Sequence, residues 1–397
     1  MTRVILKPGR EKSLLRRHPW VFSGAIQSVE GNPAPGSTVE VVSAGGEFLG
    51  RGAYSPVSSI RVRMWTFQDE PVDEDFLRRR VRAAIALREG LPKSHPEDNA
   101  CRLVYAESDG LPGLVADRYG EFIVVQALSA GAEVWREPFS AILAEEAAPV
   151  RGVYERSDVD VRELEGLPQR SGHLLGEEPP EFVRISENGL TFEVDIRAGQ
   201  KTGFYLDQAA NRRRVISYAA GKRVLNCFSY TGGFSVYALA GGAREVMSID
   251  SSAPALETAR KNAALNELET SQAEYICADA FQELRRMRDG GEVFDMIILD
   301  PPKFAPTSAH AQAASRGYKD INLLAVKLLA PGGLLVTFSC SGGVSRELFQ
   351  KIVSGAAMDA GARLSIVEVL SQSGDHPISL DFPESEYLKG LICRKGE

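Results

Sequence analysis

From about residue 222 the chain alternates short apolar runs with amphipathic stretches of helical period, and this alternation restricts the fold more than any other feature. The runs read Arg223-Val-Leu-Asn-Cys-Phe, Glu245-Val-Met-Ser-Ile-Asp, Ala273-Glu-Tyr-Ile-Cys, Phe294-Asp-Met-Ile-Ile-Leu-Asp and Gly333-Leu-Leu-Val-Thr-Phe-Ser. Strands apolar on both faces need cover on both. Helical patterns such as Ala253 to Asn266 and Asp320 to Leu329 supply it, which implies an α/β fold with a mostly parallel sheet. Ligands of such sheets bind at the carboxyl ends of the strands. The residues that close each run are therefore the candidates for chemistry.

Upstream the pattern differs. Ser37-Thr-Val-Glu-Val-Val-Ser and Ser59-Ile-Arg-Val-Arg-Met-Trp alternate apolar and polar residues, the period of half-buried strands, and predict a small β-barrel ending near Phe67. The acidic run Asp69-Glu-Pro-Val-Asp-Glu-Asp reads as a linker and helix start, with Phe76, Val81, Ala84 and Leu87 at helical spacing. Three strand-like runs come next from Leu103, punctuated by Asp109-Gly110 and Tyr119-Gly120. A helix is expected near 133–146 and a strand at Gly152-Val-Tyr-Glu-Arg. A Gly/Pro-rich run from Gly172 to Pro180 marks a second boundary, and Phe182 to Val194 reads as a hairpin. The expected division is a barrel over 1–70, a central α+β domain over 71–178 and the α/β domain over 179–397.

The five cysteines, Cys101, Cys227, Cys277, Cys340 and Cys393, are scattered and never form a C-x-x-C pair, and the histidines are isolated. That disfavours a disulfide framework or metal site and predicts a reducing cytoplasm. No stretch approaches eighteen apolar residues, and the first residues are too poor in apolar content for a signal peptide, so no membrane association is expected. The formal net charge is −7, but residues 1–68 carry nine cations against four anions, a net of +5. A basic module on an acidic body fits phosphate binding by that module alone, and fits a solvated basic surface equally well.

After the first strand comes Asn226-Cys-Phe-Ser-Tyr-Thr-Gly-Gly-Phe-Ser, where Gly232 and Gly233 let backbone approach a ligand as a helix begins. Asp250 closes the second strand eighteen residues after Gly232, where a carboxylate can accept both hydroxyls of a ribose. Asp279 closes the third strand, within reach of an adenine amine. A dinucleotide dehydrogenase shares this plan. However, the loop is not G-x-G-x-x-G, and it carries bulky Phe228 and Tyr230 where a pyrophosphate needs room. A P-loop is excluded outright, since no G-x-x-x-x-G-K-[ST] occurs. S-adenosylmethionine has no phosphate and tolerates the loop. Its expected site joins Asn226, Phe228, Ser229, Tyr230, Thr231, Gly232 and Gly233 with Asp250, Ser251, Asn262, Asp279, Ala280 and Asp300.

The fourth strand ends in Asp300-Pro301-Pro302-Lys303-Phe, whose prolines remove two backbone donors and leave outward carbonyls able to hold the amino group of a flat nucleobase. The fifth ends in Thr337-Phe-Ser-Cys-Ser-Gly-Gly and brings Cys340 to the same edge. C5 of a pyrimidine is barely nucleophilic, and a thiolate adding to C6 activates it through a covalent enamine-like intermediate. A free thiol ionises near pH 8.5, so the site must raise the thiolate fraction.

These residues bring a resemblance into view. The chain resembles the bacterial ribosomal large-subunit methyltransferases that form 5-methylcytosine in 23S rRNA. The likeness runs through Gly36–Trp65 as a PUA-type RNA-binding barrel, the Glu107-Ser-Asp-Gly-Leu-Pro-Gly-Leu-Val-Ala-Asp-Arg-Tyr-Gly hairpins and Gly199-Gln-Lys-Thr-Gly-Phe-Tyr-Leu-Asp-Gln. It continues through Asn226-Cys-Phe-Ser-Tyr-Thr-Gly-Gly-Phe, Asp300-Pro-Pro-Lys-Phe, Ser339-Cys-Ser-Gly and Asp375-His-Pro with Tyr387-Leu-Lys-Gly. It implies a class I methyltransferase domain, Rossmann-like, with seven strands in the order 3-2-1-4-5-7-6, and 23S ribosomal RNA as partner. Cys340 would be the nucleophile, Asp300 would orient the base, and Gln200, Lys201, Thr202 and Phe204 would form a lid over the cofactor. Many RNA cytosine-C5 methyltransferases carry a second cysteine after the fourth strand, where this chain has Pro302-Lys303. RNA contact is expected at Arg16, Arg17 and Trp20 and at Arg212, Arg213 and Arg214, cations for phosphates and an indole to stack on a base. A homodimer is a candidate assembly.

Two other readings stay open on sequence. Methylation of an exocyclic base amine uses Asp-Pro-Pro-aromatic motifs and needs no cysteine. A module that binds rRNA with a decayed active site is opposed by the intact Asp250, Asp279, Asp300 and Cys340.

Overall fold

The computed structural model describes residues 2–268, 270–304 and 311–397. The chain forms two compact units, each re-entered by short returning segments. The first comprises Met1–Gly189, Val194–Leu206 and Gly374–Ser385; the second comprises Leu190–Glu193, Asp207–Ser373 and Glu386–Glu397.

In the first unit six strands form one sheet: Arg3–Leu6, Trp20–Phe22, Ile26–Glu30, Thr38–Val42, Phe48–Tyr54 and Ile60–Thr66. Their alternate residues Val4 and Leu6, Val39 and Val41, Val62 and Met64 fill one core, as the period-two pattern requires. Trp65 points the other way and is buried with Ala53 among Phe76, Leu77, Val81 and Ala84 of the helix Glu74–Glu89. The barrel and that helix therefore share apolar packing across the acidic linker. Asp73 caps the helix by accepting the Phe76 N–H at 2.9 Å. Leu87, despite its helical spacing, sits at the edge of the apolar stripe and is half-exposed, while Ile85 and Arg88 are buried.

Five further strands, Ala100–Tyr105, Leu114–Tyr119, Phe122–Ala127, Gly152–Ser157 and Arg170–Gly176, form a second sheet in sequential order. The third and fourth run parallel, joined by the helix Ala130–Glu146. A two-stranded hairpin at Val183–Glu187 and Leu190–Val194 matches the one expected there.

The second unit is built on β1 (Arg223–Cys227), β2 (Glu245–Asp250), β3 (Ala273–Cys277), β4 (Phe294–Leu299), β5 (Leu329–Ser339), β6 (Leu364–Leu370) and β7 (Lys389–Lys395). Their spatial order is 3-2-1-4-5-7-6. β1 to β5 run parallel, and β7 runs antiparallel to both β5 and β6. The helices are α1 (Ala209–Ala219), α2 (Gly233–Ala240), α3 (Ala253–Leu265), α4 (Ala280–Asp289), α5 (Ala311–Leu328) and α6 (Arg346–Asp359). The central strands contribute Leu225, Ile297, Leu299 and Leu335 to a core with Leu284 of α4 and Ile321 of α5. No helix among the described residues is long and apolar enough to cross a membrane.

Candidate active site

The loop from β1 to α2 passes through Phe228 (φ 60°) and Tyr230 (φ 47°) in the left-handed region before reaching Gly232 (φ 80°). Residues with a Cβ hold that conformation at a cost of roughly 1–2 kcal/mol each, so their surroundings must enforce it. The Ser229 N–H donates to the Ile249 carbonyl at 3.0 Å, the Tyr230 N–H to Asp250 Oδ2 at 2.8 Å, and Asn262 Nδ2 to the Thr231 carbonyl at 3.0 Å. A Cβ on Gly232 would lie 2.7 Å from the Cβ of Ala259. This glycine is therefore required by its backbone angle and by packing against α3, a reason not visible in the sequence.

Three buried oxygens along this stretch, Asn226 Oδ1, Ser229 Oγ and Thr231 Oγ1, have no hydrogen-bond partner among the described residues. Such atoms are costly unless something pairs with them, and a polar ligand at the loop would do so. Asp250 accepts one backbone N–H on each oxygen, from Tyr230 and, at 2.9 Å, from Ser252. Each oxygen keeps acceptor capacity for a hydroxyl. Asp279 is exposed and caps α4, accepting the Gln282 N–H at 2.9 Å. Ser251 is exposed and Ala280 is buried. Asn262 is fully buried, with Oδ1 accepting from the Glu193 N–H at 2.8 Å and Nδ2 holding Thr231. Both ends of its amide act within the protein, so Asn262 braces the loop from behind.

β4 and β5 are parallel neighbours with Leu299 opposite Thr337, so the segments beyond them emerge side by side. The Cys340 thiol lies 4.0 Å from the Pro301 carbonyl oxygen. Pro301 is buried, and Pro302 and Lys303 are exposed. Burial, reinforced by the Asp207 carboxylate, pushes the Asp300 carboxyl up to about 7, against a hydrogen bond from Gln208 and the charge of Arg212. Asp207 in turn accepts from the Tyr387 hydroxyl at 2.5 Å. Tyr318 is fully buried and its hydroxyl meets Ser341 Oγ at 3.0 Å.

Several residues singled out from sequence stand elsewhere than expected. Arg212 is only 2% exposed, which leaves little of it to meet a phosphate. Trp20 is not a free stacking surface: its indole N–H donates to Glu107 Oε1 at 2.8 Å, Arg63 covers its ring at 5.3 Å, and Phe382 packs edge-on at 4.8 Å. Arg16, Arg17, Arg213 and Arg214 are exposed, the last of them paired with Glu368. Within the first unit, Thr202 is buried and donates to Asp117 Oδ2 at 2.6 Å, and the Phe204 N–H donates to the Tyr119 hydroxyl at 3.2 Å. Those two residues anchor the segment, whereas Gln200 and Lys201 are exposed. Sequence reasoning missed Asp207, Gln208, Tyr318 and Lys389. Asp207 and Gln208 lie in the run from Gly199 to Gln208, and Lys389 lies in Tyr387-Leu-Lys-Gly.

A model of S-adenosylmethionine-dependent methyltransferases matches residues 160–392, and a PUA-like domain model matches residues 4–67. The ribosomal RNA large subunit methyltransferase I of Aeromonas salmonicida is 55% identical over 392 residues, covering 98% of each chain. The chain belongs to the ribosomal RNA large subunit methyltransferase I family. Its cofactor is S-adenosylmethionine. The family's member from Salmonella arizonae is 51% identical over 393 residues, 99% of this chain and 97% of that one. Among solved structures, a SAM-dependent methyltransferase from Streptococcus mutans superposes with a TM-score of 0.85 at 24% identity, covering 99% of this chain and 100% of that one. A methyltransferase complexed with SAH gives 0.87 at 23% identity with the same coverage. That likeness is one of fold.

Proposed function

We propose that this family member methylates C5 of a cytosine in 23S ribosomal RNA through a covalent bond between Cys340 and C6 of the base. The observation that carries this reading is the Cys340 thiol just after β5, 4.0 Å from the carbonyl oxygen of Pro301, which directly follows Asp300, a residue whose carboxyl burial raises to about 7. When the thiolate adds to C6, the displaced electron pair runs to N3. A neutral Asp300, substantially populated at pH 7, is suited to donate a proton there. C5 then has enamine character. S-adenosylmethionine supplies an electrophilic methyl group. Loss of the C5 proton then expels the thiolate, and N3 returns its proton to the Asp300 carboxylate, which restores the neutral aromatic ring.

The unpaired oxygens of Asn226, Ser229 and Thr231 suit the polar groups of the cofactor, Asp250 its ribose hydroxyls and Asp279 its adenine amine. Gln200 and Lys201 remain the lid candidates, and Arg16, Arg17 and Arg213 the phosphate contacts. The test is mass-spectrometric mapping of 23S rRNA from a strain lacking the protein. One cytosine should lose its C5 methyl group; full modification at every such site would end the reading.

A further inference from the structure

Lysine is almost never fully buried without a partner, yet Lys389 is 4% exposed. The antiparallel register of β5 and β7 sets it directly opposite Ser339, one residue before Cys340. Its Nζ donates to the Ser341 carbonyl oxygen at 2.8 Å. The amine therefore lies against the short segment, Ser339 to Ser341, that carries the thiol.

A buried ammonium calls for an anion. Among the described residues, no carboxylate lies within ion-pair distance of Nζ. The charged and titratable groups around it are Cys340, Glu386, Arg346 and Lys303. Glu386 pairs with Arg346 at 2.6 Å, and Lys303 is another cation. Burial, aided by Arg346 and Lys303, pushes the amine down to about 8, with Cys340 and then Glu386 acting in the opposite direction. Of the two groups that favour its charged form, Glu386 is held by Arg346, and Cys340 sits on the segment that the amine binds.

We propose that Lys389 is the counter-ion of Cys340: the thiol proton passes to the lysine amine, and the resulting thiolate–ammonium pair is the resting nucleophile. The S–H bond breaks, an N–H bond forms, and the net charge of the pair is unchanged. The inference rests on Cys340 as the nucleophile of the proposed reaction and adds to that role. The pair raises the thiolate fraction that addition to C6 needs. It also stabilises the thiolate as a leaving group in the last step, in a chain that has Pro302-Lys303 after β4. Lys389 acts through Cys340, so it is a positioning residue.

The test is alkylation of the full-length protein by iodoacetamide across pH 6 to 10, with the Cys340 and Cys277 peptides quantified by mass spectrometry. Cys277 is exposed and serves as the internal reference. In the wild type, the Cys340 rate should reach half its maximum below the ordinary thiol value of about 8.5. Lys389→Met should raise that midpoint by a unit or more, about tenfold less reaction at pH 7, with Cys277 unchanged; Lys389→Arg should keep the wild-type profile. A wild-type midpoint at or above 8.5, or a Lys389→Met profile that overlays the wild type, overturns the proposal. The first of these needs no variant, so misfolding of Lys389→Met leaves it decisive. Alkylation requires neither RNA nor cofactor. An active Cys340→Ala enzyme would therefore remove the methylation reading while a low Cys340 midpoint still upheld the ion pair.

Discussion

The thiol of Cys340 lies 4.0 Å from the carbonyl oxygen of Pro301, so the segments leaving β4 and β5 meet at one point. Asp300 directly precedes that proline, and its carboxyl is raised to about 7 by burial and by Asp207. The proposed nucleophile and the proposed proton donor therefore share one edge of the sheet.

The Asp300 carboxyl predicts pH effects on both turnover and stability. Its neutral form is lost as pH rises through about 7, so turnover should fall on that limb once the thiolate fraction is allowed for. Stability behaves likewise: a carboxyl raised in the folded state favours folding fully below its unfolded value near 4, and that contribution disappears as pH rises through about 7. Asp300→Asn should accordingly gain stability relative to the wild type between pH 4 and pH 8, with a ceiling of about 4 kcal/mol for a shift of this size. Chemical denaturation at both pH values measures it. An unchanged difference would place the carboxyl in ordinary solvent.

Asn262 ties α3 to the cofactor loop through Thr231 and to the Glu193 backbone. Asn262→Ala leaves both backbone partners unpaired, and a loss of about 2–4 kcal/mol is expected. The affinity for S-adenosylmethionine, read by calorimetry, should fall with it. The Cys340 alkylation profile should not move.

Arg16 and Arg17 are exposed, while Arg212 is buried. Removing Arg16 or Arg17 should weaken RNA binding and reduce the slope of log affinity against log salt by about 1 for each arginine removed. Arg212→Ala should leave that slope alone and lower thermal stability instead. Filter binding at several salt concentrations separates the two outcomes.

The strand–helix array, the closing residues Asp250 and Asp300 and the placement of Cys340 were legible because each is a local pattern: period, loop chemistry, strand end. What escaped was non-local. Three consecutive arginines at 212–214 read as one basic patch, but on α1 successive residues point about 100° apart, which buries the first and leaves the other two exposed. Trp20 read as a stacking platform because its cover comes from Arg63 and Phe382, far along the chain. Lys389 gained meaning only from the register that sets β7 against β5.

Methyl transfer by Cys340→Ala to a 23S rRNA substrate, measured alongside its affinity for S-adenosylmethionine, decides whether the thiol is the nucleophile. A loss on the order of 10³-fold or more in rate is expected, with cofactor affinity unchanged because no cofactor-loop residue is touched. A variant that methylates at an undiminished rate would rule out the covalent route and return the chemistry to an exocyclic amine.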